Sequence, residues 1–304
     1  MVSYPLSPAM SAFVDKTLGF NSPDTSLTGV RQAYNQMCRG FNPPRPATLT
    51  IDDLELAGVA VRAYHPRRAA PLAGWPCLLY LHGGGWVVGD LDSHDFICME
   101  LAAALGALVI AVDYRLAPEH PFPAAFEDCL AVWRHLMAAP FAVDPRRRWV
   151  MGDSAGGNLA AALCLALRDT AQPMPGGQVL IYPALGGPAD LPSRQECANA
   201  PLLSSRDLDD YHQLYLGTTA PSPYAMPLLA DDLGRLPKAL IIVAQWDPLR
   251  DDGVLYSERL DAAGGRSVLY VGEGLVHGCL RGRHQVPEVD QMYRMLLAYL
   301  ADTL

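Results

Sequence analysis

The sequence predicts an α/β fold in which a mostly parallel sheet carries helices on both faces. From about residue 77 onward, short runs that are apolar throughout alternate with longer stretches of helical spacing. Strands that are apolar on both sides belong to sheets covered on both faces, and alternation with helices makes those strands parallel. The chain has 304 residues, of which 50% are hydrophobic and 18% charged, so it can bury one large core.

The predicted elements follow one another in a simple order. Two segments of alternating polarity, 49–51 and 59–64, come first and suit an antiparallel pair at the edge of the sheet. Apolar strands are then predicted at 77–81, 107–112, 149–151, 179–182, 239–244 and 267–271. Helices are predicted between and after them at 92–105, 123–139, 155–169, 250–263 and 288–302.

Two segments depart from this alternation. Residues 1–45 show helical spacing at 9–18 and 27–37 and end at Asn42-Pro43-Pro44. Residues 184–230 are rich in Pro, Ala and Leu and contain one predicted helix, 205–216. We therefore expect N-terminal cap helices at 1–45 and a main α/β domain at 46–304. A second cap is expected as an insertion at about 184–230, over the carboxyl edge of the sheet.

Charge and hydropathy exclude several classes of partner. The net charge is -9, and an acidic surface repels phosphate backbones, so nucleic acid is not expected as a partner. The cluster Arg146–Arg148 is interpreted as a solvated loop before a strand. The longest apolar run, Leu101–Val112, is too short to span a bilayer, and the N-terminus lacks the pattern of a signal peptide. We expect a cytoplasmic protein without membrane insertion.

The cysteine pattern predicts neither disulfides nor a metal site. Seven cysteines lie far apart, their number is odd, and no two are separated by only two residues. Buried reduced thiols explain such a pattern better than a disulfide framework or zinc ligands do. No metal is expected.

The strongest functional signal is the segment Gly152-Asp153-Ser154-Ala155-Gly156-Gly157. It follows the strand-like 149–151 and precedes a helical run of small and apolar residues. A serine between strand and helix needs glycine two positions away on either side, because the sharp turn leaves no room there for side chains. Such a turn exposes the serine hydroxyl and places the next N–H beside a developing oxyanion. The segment also resembles the GDSGG of chymotrypsin-like proteases, but Ser154 lies mid-chain and is followed by a helix, which does not fit that all-β fold.

A second glycine-rich segment, His82-Gly83-Gly84-Gly85-Trp86, directly follows the strand 77–81. Consecutive glycines let the backbone approach a ligand closely with free N–H groups. The spacings of phosphate-binding loops are absent. We interpret the segment as an oxyanion hole that cooperates with Ser154.

A nucleophilic serine in this setting requires a later acid and then a histidine. His277 comes just after the last strand, whereas His212 lies in the presumed cap and His284 is flanked by the charged Arg281-Gly282-Arg283. His277 is the predicted base, with the other two as alternatives.

For the acid, Asp247 directly follows the strand 239–244. Asp251 and Asp252 fall where the next helix begins, where carboxylates are commonly caps. Asp247 is the predicted acid, and its role is to orient the imidazole and stabilise the imidazolium.

These residues resemble the hormone-sensitive-lipase-like carboxylesterases, bacterial esterase family IV, over about residues 45–300. The resemblance implies an α/β-hydrolase fold with an eight-stranded sheet, caps, short- to medium-chain acyl esters as substrates and no cofactor. It also implies that Gly84, Gly85 and Ala155 donate the oxyanion N–H groups, while Gly83 shapes the turn and His82 braces the loop. The motifs that carry it are HGGGW at 82–86, DYRLAPE at 113–119, GDSAGG at 152–157, DPL at 247–249 and VHG at 276–278.

Other expectations concern the surroundings of the site. Arg115 and Glu119 are expected to pair beneath it. The substrate pocket is expected to include six apolar and aromatic residues, Trp86, Leu202, Leu203, Tyr211, Tyr215 and Val276. Tyr211 and Tyr215 are four positions apart and would therefore share one face of the predicted helix.

Three alternatives stay open at this point. Amide or formamide hydrolysis uses the same constellation. A small-molecule receptor of the same fold is the second, since plant gibberellin receptors resemble this family but lack the histidine. The protein could be a monomer or a homodimer.

Overall fold

The computed structural model describes residues 4–304 and contains one sheet of eight strands. The strands are β1 Leu49–Leu56, β2 Val59–Pro66, β3 Trp75–Leu81, β4 Leu108–Val112, β5 Val143–Asp153, β6 Gly177–Ile181, β7 Ala239–Trp246 and β8 Ser267–Val276. The α-helices are α1 Pro8–Leu18, α2 Leu27–Arg39, α3 Asp95–Leu105, α4 Ala124–His135, α5 Ala155–Asp169, α6 Pro192–Glu196, α7 Ser205–Leu216, α8 Arg250–Ala262 and α9 Pro287–Thr303.

The strand order is β1-β2-β4-β3-β5-β6-β7-β8. β2 pairs antiparallel with both β1 and β4, and the remaining six strands run parallel. The predicted mostly parallel, eight-stranded sheet is therefore confirmed. Because β3, β5, β7 and β8 run in the same direction, the segments that follow them meet at one edge of the sheet.

Two apolar cores, one on each face, hold the sheet. Along β3, Cys77, Leu79 and Leu81 face the core that α4, α5 and α8 cover, whereas Leu78 and Tyr80 face the core under α3 and α9. This alternation follows from the two-residue period of a strand. Helix α5 is buried from Ala155 to Leu167, which explains its small and apolar composition.

Helices α1, α2 and α7 lie beside the carboxyl edge. Met10 of α1 and Met37 of α2 join the core under α3 and α9. Helix α7 begins with a capping box in which Ser204 and Asp207 satisfy each other's N–H groups. Its Tyr215 stacks on Trp86, with ring centroids 4.0 Å apart. These contacts attach the helices to the main sheet next to the segment 82–86.

Some element bounds differ from the predicted ones. Strand β5 starts at Val143, six residues before the predicted start, so Arg146–Arg148 lie in the strand and not in a loop before it. Pro145, Arg146 and Arg147 are exposed as expected, but Arg148 is buried. The short helix α6 was not predicted, since only Ser193 in it is buried. No helix within residues 4–304 is both long and apolar enough to cross a bilayer.

Candidate active site

Ser154 lies on a sharp turn between β5 and α5. Its backbone has φ 54° and ψ -119°, a conformation that L residues rarely adopt. A Cβ on Gly156 would stand 1.9 Å from the carbonyl oxygen of Leu81, and one on Gly152 would stand 2.3 Å from the backbone of Gly156. Only glycine fits at these two positions, as the sequence pattern requires. The turn places Ser154 in the lining of a cavity.

The imidazole of His277 bridges Ser154 and Asp247. His277 Nε2 lies 2.9 Å from Ser154 Oγ, and Nδ1 lies 2.7 Å from Asp247 Oδ2. Asp247 is fully buried, and its second oxygen accepts a hydrogen bond from the N–H of Leu249. The arrangement suits transfer of the serine proton to a histidine that a buried carboxylate holds in one tautomer.

The alternative bases lie outside this row. His212 on α7 packs against Trp86, 5.8 Å between ring centroids, and burial lowers its pKa to about 4. His284 is exposed on the loop before α9. Neither is among the residues that line the cavity at Ser154.

The alternative acids are engaged in structural contacts. Asp252 is fully buried, pairs with Arg194 and accepts hydrogen bonds from the N–H groups of Leu185 and Gly187. Asp251 accepts from the N–H of Ser193. Both carboxylates therefore fasten the segment after β6 to the start of α8.

The loop after β3 presents free amides to the cavity. Gly84, Gly85 and Ala155 line it, and none of their N–H groups donates to another group within residues 4–304. Gly84 has φ +124° and Gly85 has φ +58°, and a Cβ on Gly85 would stand 2.2 Å from Tyr211. The geometry suits an oxyanion hole.

Gly83 has a different position from the two glycines after it. Its N–H donates to Asp153 Oδ1 over 3.0 Å, and it is not among the residues lining the cavity. A Cβ there would stand 2.4 Å from Asp153 Oδ2. Gly83 therefore shapes the loop, and its N–H is not available to an oxyanion.

Asp153, which sequence reasoning did not single out, anchors this loop from below. Tyr80 donates to its Oδ1 over 2.7 Å, and His94 Nε2 lies 3.4 Å from its Oδ2. Burial by itself raises the pKa of Asp153, but its interaction with His94 and the hydrogen bond from Tyr80 lower that pKa to about 2. Its place beside Ser154 in the glycine motif was the available signal.

His82 is buried at the base of the loop. Its ring stacks on Tyr114, with centroids 4.2 Å apart, and its Nδ1 lies 2.8 Å from the carbonyl oxygen of Gly83. Burial lowers the pKa of His82 to about 4, so the ring is neutral near pH 7. These contacts brace the turn.

The expected pair of Arg115 and Glu119 does not form. Arg115 instead binds Asp128 of α4 through a two-pronged contact, and Glu119 binds Arg31 of α2. The prediction was wrong because each of the two residues pairs with a side chain from another element, Asp128 of α4 and Arg31 of α2.

The cavity contains four of the six predicted pocket residues. Trp86, Leu202, Leu203 and Tyr211 line it. Tyr215 and Val276 do not, which corrects the expectation. Tyr215 is buried behind Trp86, and Val276 is buried within β8.

Sequence reasoning missed several lining residues. Tyr182 follows β6 directly, so the rule that strand ends meet at one edge could have found it. Tyr34 on α2 and Arg281, four residues after His277, had no such signal. The missed residues are Tyr34, Asp153, Tyr182, Ala184, Leu208, Leu249, Gly278 and Arg281. Within residues 4–304, no cluster of three or more metal-binding side chains occurs.

Comparisons with known proteins identify the family of the chain. The profile of the alpha/beta hydrolase fold family matches residues 78–281. The chain is 40% identical to Esterase LipI of Mycobacterium tuberculosis (strain ATCC 25618 / H37Rv), over 89% of this chain and 86% of LipI. It is 39% identical to the ethyl acetate hydrolase of Pseudomonas putida, over 84% and 83% of the two chains. An esterase from the bacterial hormone-sensitive lipase family superimposes with a TM-score of 0.89 at 31% identity, covering 98% of this chain and 99% of that one.

Proposed function

The chain belongs to the hormone-sensitive-lipase-like esterases of the alpha/beta hydrolase fold and is a carboxylic-ester hydrolase, and on this premise we propose which residues carry the reaction. Ser154 is the nucleophile, His277 the general base and Asp247 the acid that orients His277. The supporting observation is the unbroken row from Asp247 Oδ2 through the imidazole to Ser154 Oγ, with contacts of 2.7 and 2.9 Å. The substrates are short- to medium-chain acyl esters.

Catalysis proceeds in two halves. Ser154 Oγ attacks the ester carbonyl carbon while its proton passes to His277 Nε2. The tetrahedral intermediate then expels the alcohol, which takes that proton, and the acyl group stays on Ser154. Water attacks the acyl-enzyme by the same route, giving its proton to His277. The carboxylic acid leaves when the proton returns to Ser154.

The negative charge of both tetrahedral intermediates is stabilised by the N–H groups of Gly84, Gly85 and Ala155. These groups are backbone amides on a loop fixed by Asp153 and His82, so they need no rearrangement during the reaction. The N-terminus of α5 adds positive potential at the same point. Loss of one such donor in other enzymes costs about 10²–10³ in rate.

Two caps complete the proposed architecture. Residues 1–45, of which 1–3 lie outside the described residues, form one, and the insertion at about 184–230 forms the other over the main domain 46–304. Support comes from the lining of the cavity, to which α2 contributes Tyr34 and the insertion contributes Leu202, Leu203 and Tyr211.

The setting of the protein is also part of the proposal. Its partner is a small-molecule ester, and the protein acts as a monomer or homodimer. A cytoplasmic location is supported by the seven cysteines, which are all free and buried.

The alternatives from sequence are not favoured. The similar proteins at about 40% identity are named for ester hydrolysis. A receptor has no need of a base in contact with the serine, whereas His277 makes that contact here. Rates on an ester and its matched anilide compare ester with amide hydrolysis directly.

The test is the variant Ser154→Ala. We expect it to lose at least 10³-fold in kcat for p-nitrophenyl butyrate while it keeps the circular dichroism and melting temperature of the wild type. The matched control is Ser11→Ala on the exposed face of α1, which should keep full activity. A Ser154→Ala enzyme within tenfold of the wild type would refute the nucleophile. A fluorophosphonate probe should label the wild type and Ser11→Ala but not Ser154→Ala.

A further inference from the structure

Arg281 is a charged side chain in the cavity that the proposed mechanism does not use. It lies in the short turn Cys279–Gly282, four residues after His277, and lines the cavity together with Ser154. Within residues 4–304 its guanidinium has no carboxylate at ion-pair distance and makes no hydrogen bond, and its Nε is buried without a partner. A partly buried charge that no carboxylate contacts is costly to the fold. An unpaired charge in a cavity therefore points to a ligand of opposite sign.

The surroundings fix the place of this charge. Arg281 Nη2 lies 3.0 Å from the position of a Cβ on Gly278, the residue next to His277. On its other side, the guanidinium carbon lies 5.6 Å from the ring centroid of Tyr34. The charge is thus held between the histidine loop and α2. The hydroxyl of Tyr182 is also buried without a partner and lines the same cavity.

The one carboxylate that lines this cavity is already satisfied. Asp153 accepts from the N–H of Gly83 and the hydroxyl of Tyr80 and faces His94. The charges of Asp153 and Arg281 attract each other, which helps to lower the pKa of Asp153, but the two side chains make no ion pair. Asp24 lines an adjoining hollow, but its carboxylate accepts from the N–H of Ser26 and makes no ion pair with Arg281. The protein itself therefore supplies no carboxylate in contact with the guanidinium, although its net charge is -9.

Arg281 also lies where the cavity continues into that hollow. The hollow is bounded by α1, α2 and the insertion, and it shares with the catalytic cavity the residues Tyr34, Leu202, Tyr211 and Arg281. A substrate whose ester reaches Ser154 and whose remote end extends toward the hollow must pass the guanidinium. A neutral hydrocarbon at this point would gain nothing from the charge.

We propose that the preferred esters carry a carboxylate remote from the scissile bond, and that Arg281 binds it with help from the Tyr182 hydroxyl. The planar fork of a guanidinium matches the two oxygens of a carboxylate. One positive charge beside one neutral hydroxyl balances a monoanion better than a doubly charged phosphate. This inference rests on the proposed function, since it specifies the substrate class of the same site.

The experiment compares anionic esters with neutral esters of matched chain length or matched ring substituent. Mono-4-nitrophenyl glutarate is paired with 4-nitrophenyl pentanoate, which places the charge on the acyl side. The 4-carboxyphenyl ester of butyrate is paired with the 4-acetylphenyl ester, which places it on the alcohol side. The measured quantity is the ratio of kcat/KM for the anionic and the neutral member of each pair.

In Arg281→Met we expect this ratio to fall about 10- to 100-fold in at least one pair, the size typical for loss of a hydrogen-bonded charge. Arg281→Lys should restore part of it, and Tyr182→Phe should lower it less. The matched control is Arg146→Met, which removes an arginine with 82% of its side chain exposed at the opposite end of β5. Its ratios should stay within twofold of the wild type.

The proposal is overturned if both ratios in Arg281→Met stay within twofold of the wild type. If that variant does not fold, inhibition of the wild-type enzyme provides the test. We expect hexanoate to inhibit hydrolysis of 4-nitrophenyl butyrate at least tenfold more strongly than hexanamide does. Equal inhibition by the two compounds overturns the proposal. The two failures are distinguishable. If Ser154→Ala still hydrolyses the neutral esters, the proposed function fails. If Ser154→Ala is inactive but the kcat/KM ratios of Arg281→Met equal those of the wild type, only the proposed role of Arg281 fails.

Discussion

Ser154 combines a strained backbone with an ordered side chain. A residue at φ 54° and ψ -119° costs about 1–3 kcal/mol, and such conformations persist only where the surrounding structure imposes them. Here the restraint comes from the N–H of Ser154, which donates to Ile181, and from Gly156, which packs against Leu81. These contacts therefore hold the strained residue, and with it the hydroxyl, at the end of the sheet before any substrate arrives.

In the proposed mechanism Asp247 orients His277, and the charge of Asp247 can be removed without a change of shape. In Asp247→Asn the side chain keeps its volume, but it no longer favours the tautomer with a proton on Nδ1 of His277, nor does it stabilise the imidazolium. We expect kcat for 4-nitrophenyl butyrate to fall about 10³- to 10⁴-fold with an unchanged melting temperature. A loss below tenfold in steady-state kinetics would count against the orienting role.

Asp113, on the loop after β4, is a residue whose charge opposes folding. Burial and then the neighbouring Asp90 raise the pKa of Asp113 to about 6. A carboxyl whose pKa is higher in the folded than in the unfolded protein destabilises the fold above the folded pKa, and this penalty disappears below the unfolded pKa of about 3.9.

Asp113→Asn should therefore stabilise the protein at high pH only. After discounting for partial exposure, we expect a gain of about 1 kcal/mol in the free energy of unfolding at pH 8 and almost none at pH 4. Urea unfolding at both pH values measures the change in the free energy of unfolding, and substitution of the exposed Asp302 by Asn is the control. An equal gain at both pH values would show that the charge of Asp113 is not the cause.

At the scale of elements, Arg31 attaches α2 to the chain next to the glycine-rich loop 82–86. The guanidinium donates to the carbonyl oxygens of Val87 and Ala117 over 2.8 and 3.0 Å and also pairs with Glu119. Ala117 in turn donates to the carbonyl oxygen of Trp86. The Arg31 side chain thus connects α2 to Val87, directly after the glycine-rich loop, and to Ala117, which is itself bonded to Trp86 of that loop.

The hydrogen bonds from Arg31 to the two carbonyl oxygens should contribute more to catalytic activity than its ion pair with Glu119. Arg31→Met removes both, and we expect kcat/KM for 4-nitrophenyl butyrate to fall about tenfold, because small displacements of catalytic groups cost large factors in rate. Glu119→Gln removes only the negative charge of the pair, and the Glu119 side chain is 48% exposed, so that ion pair is screened by solvent. This control should stay within threefold of the wild type. Equal losses in the two variants would assign the effect to the ion pair.

At the scale of the whole molecule, local patterns in the sequence predicted the elements well. The helices predicted at 155–169 and 205–216 match α5 and α7, because apolar spacing and small residues there decide the structure locally. The sharp turn at Ser154 was predictable for the same reason, since Gly152 and Gly156 report a steric requirement of the turn itself. That Asp247 and His277 lie close to Ser154 followed from one topological rule, that parallel strands end at a common edge.

What the sequence could not predict depends on contacts between distant segments. The partner of Arg115 is Asp128, and that of Glu119 is Arg31, which lies 88 residues away. Tyr215 was expected in the pocket because it shares a helix face with Tyr211, but Trp86 covers it. Arg281 was noted only as one of the charged residues before His284, yet the turn after His277 directs it into the cavity. No local pattern distinguishes these outcomes.

The packing of the whole molecule makes a prediction about its thiols. All seven cysteines are free and buried, and burial raises the pKa of Cys38 to about 11 and those of Cys77 and Cys279 to about 12. Because the thiolate is the reactive form, a raised pKa and burial both slow its reaction with disulfide reagents. We expect none of the seven to react with 5,5′-dithiobis(2-nitrobenzoate) within minutes at pH 8 in the native protein, and all seven to react in 6 M guanidinium chloride. Rapid reaction of one thiol in the native protein would show that its part of the core opens readily, and fewer than seven in denaturant would reveal a disulfide.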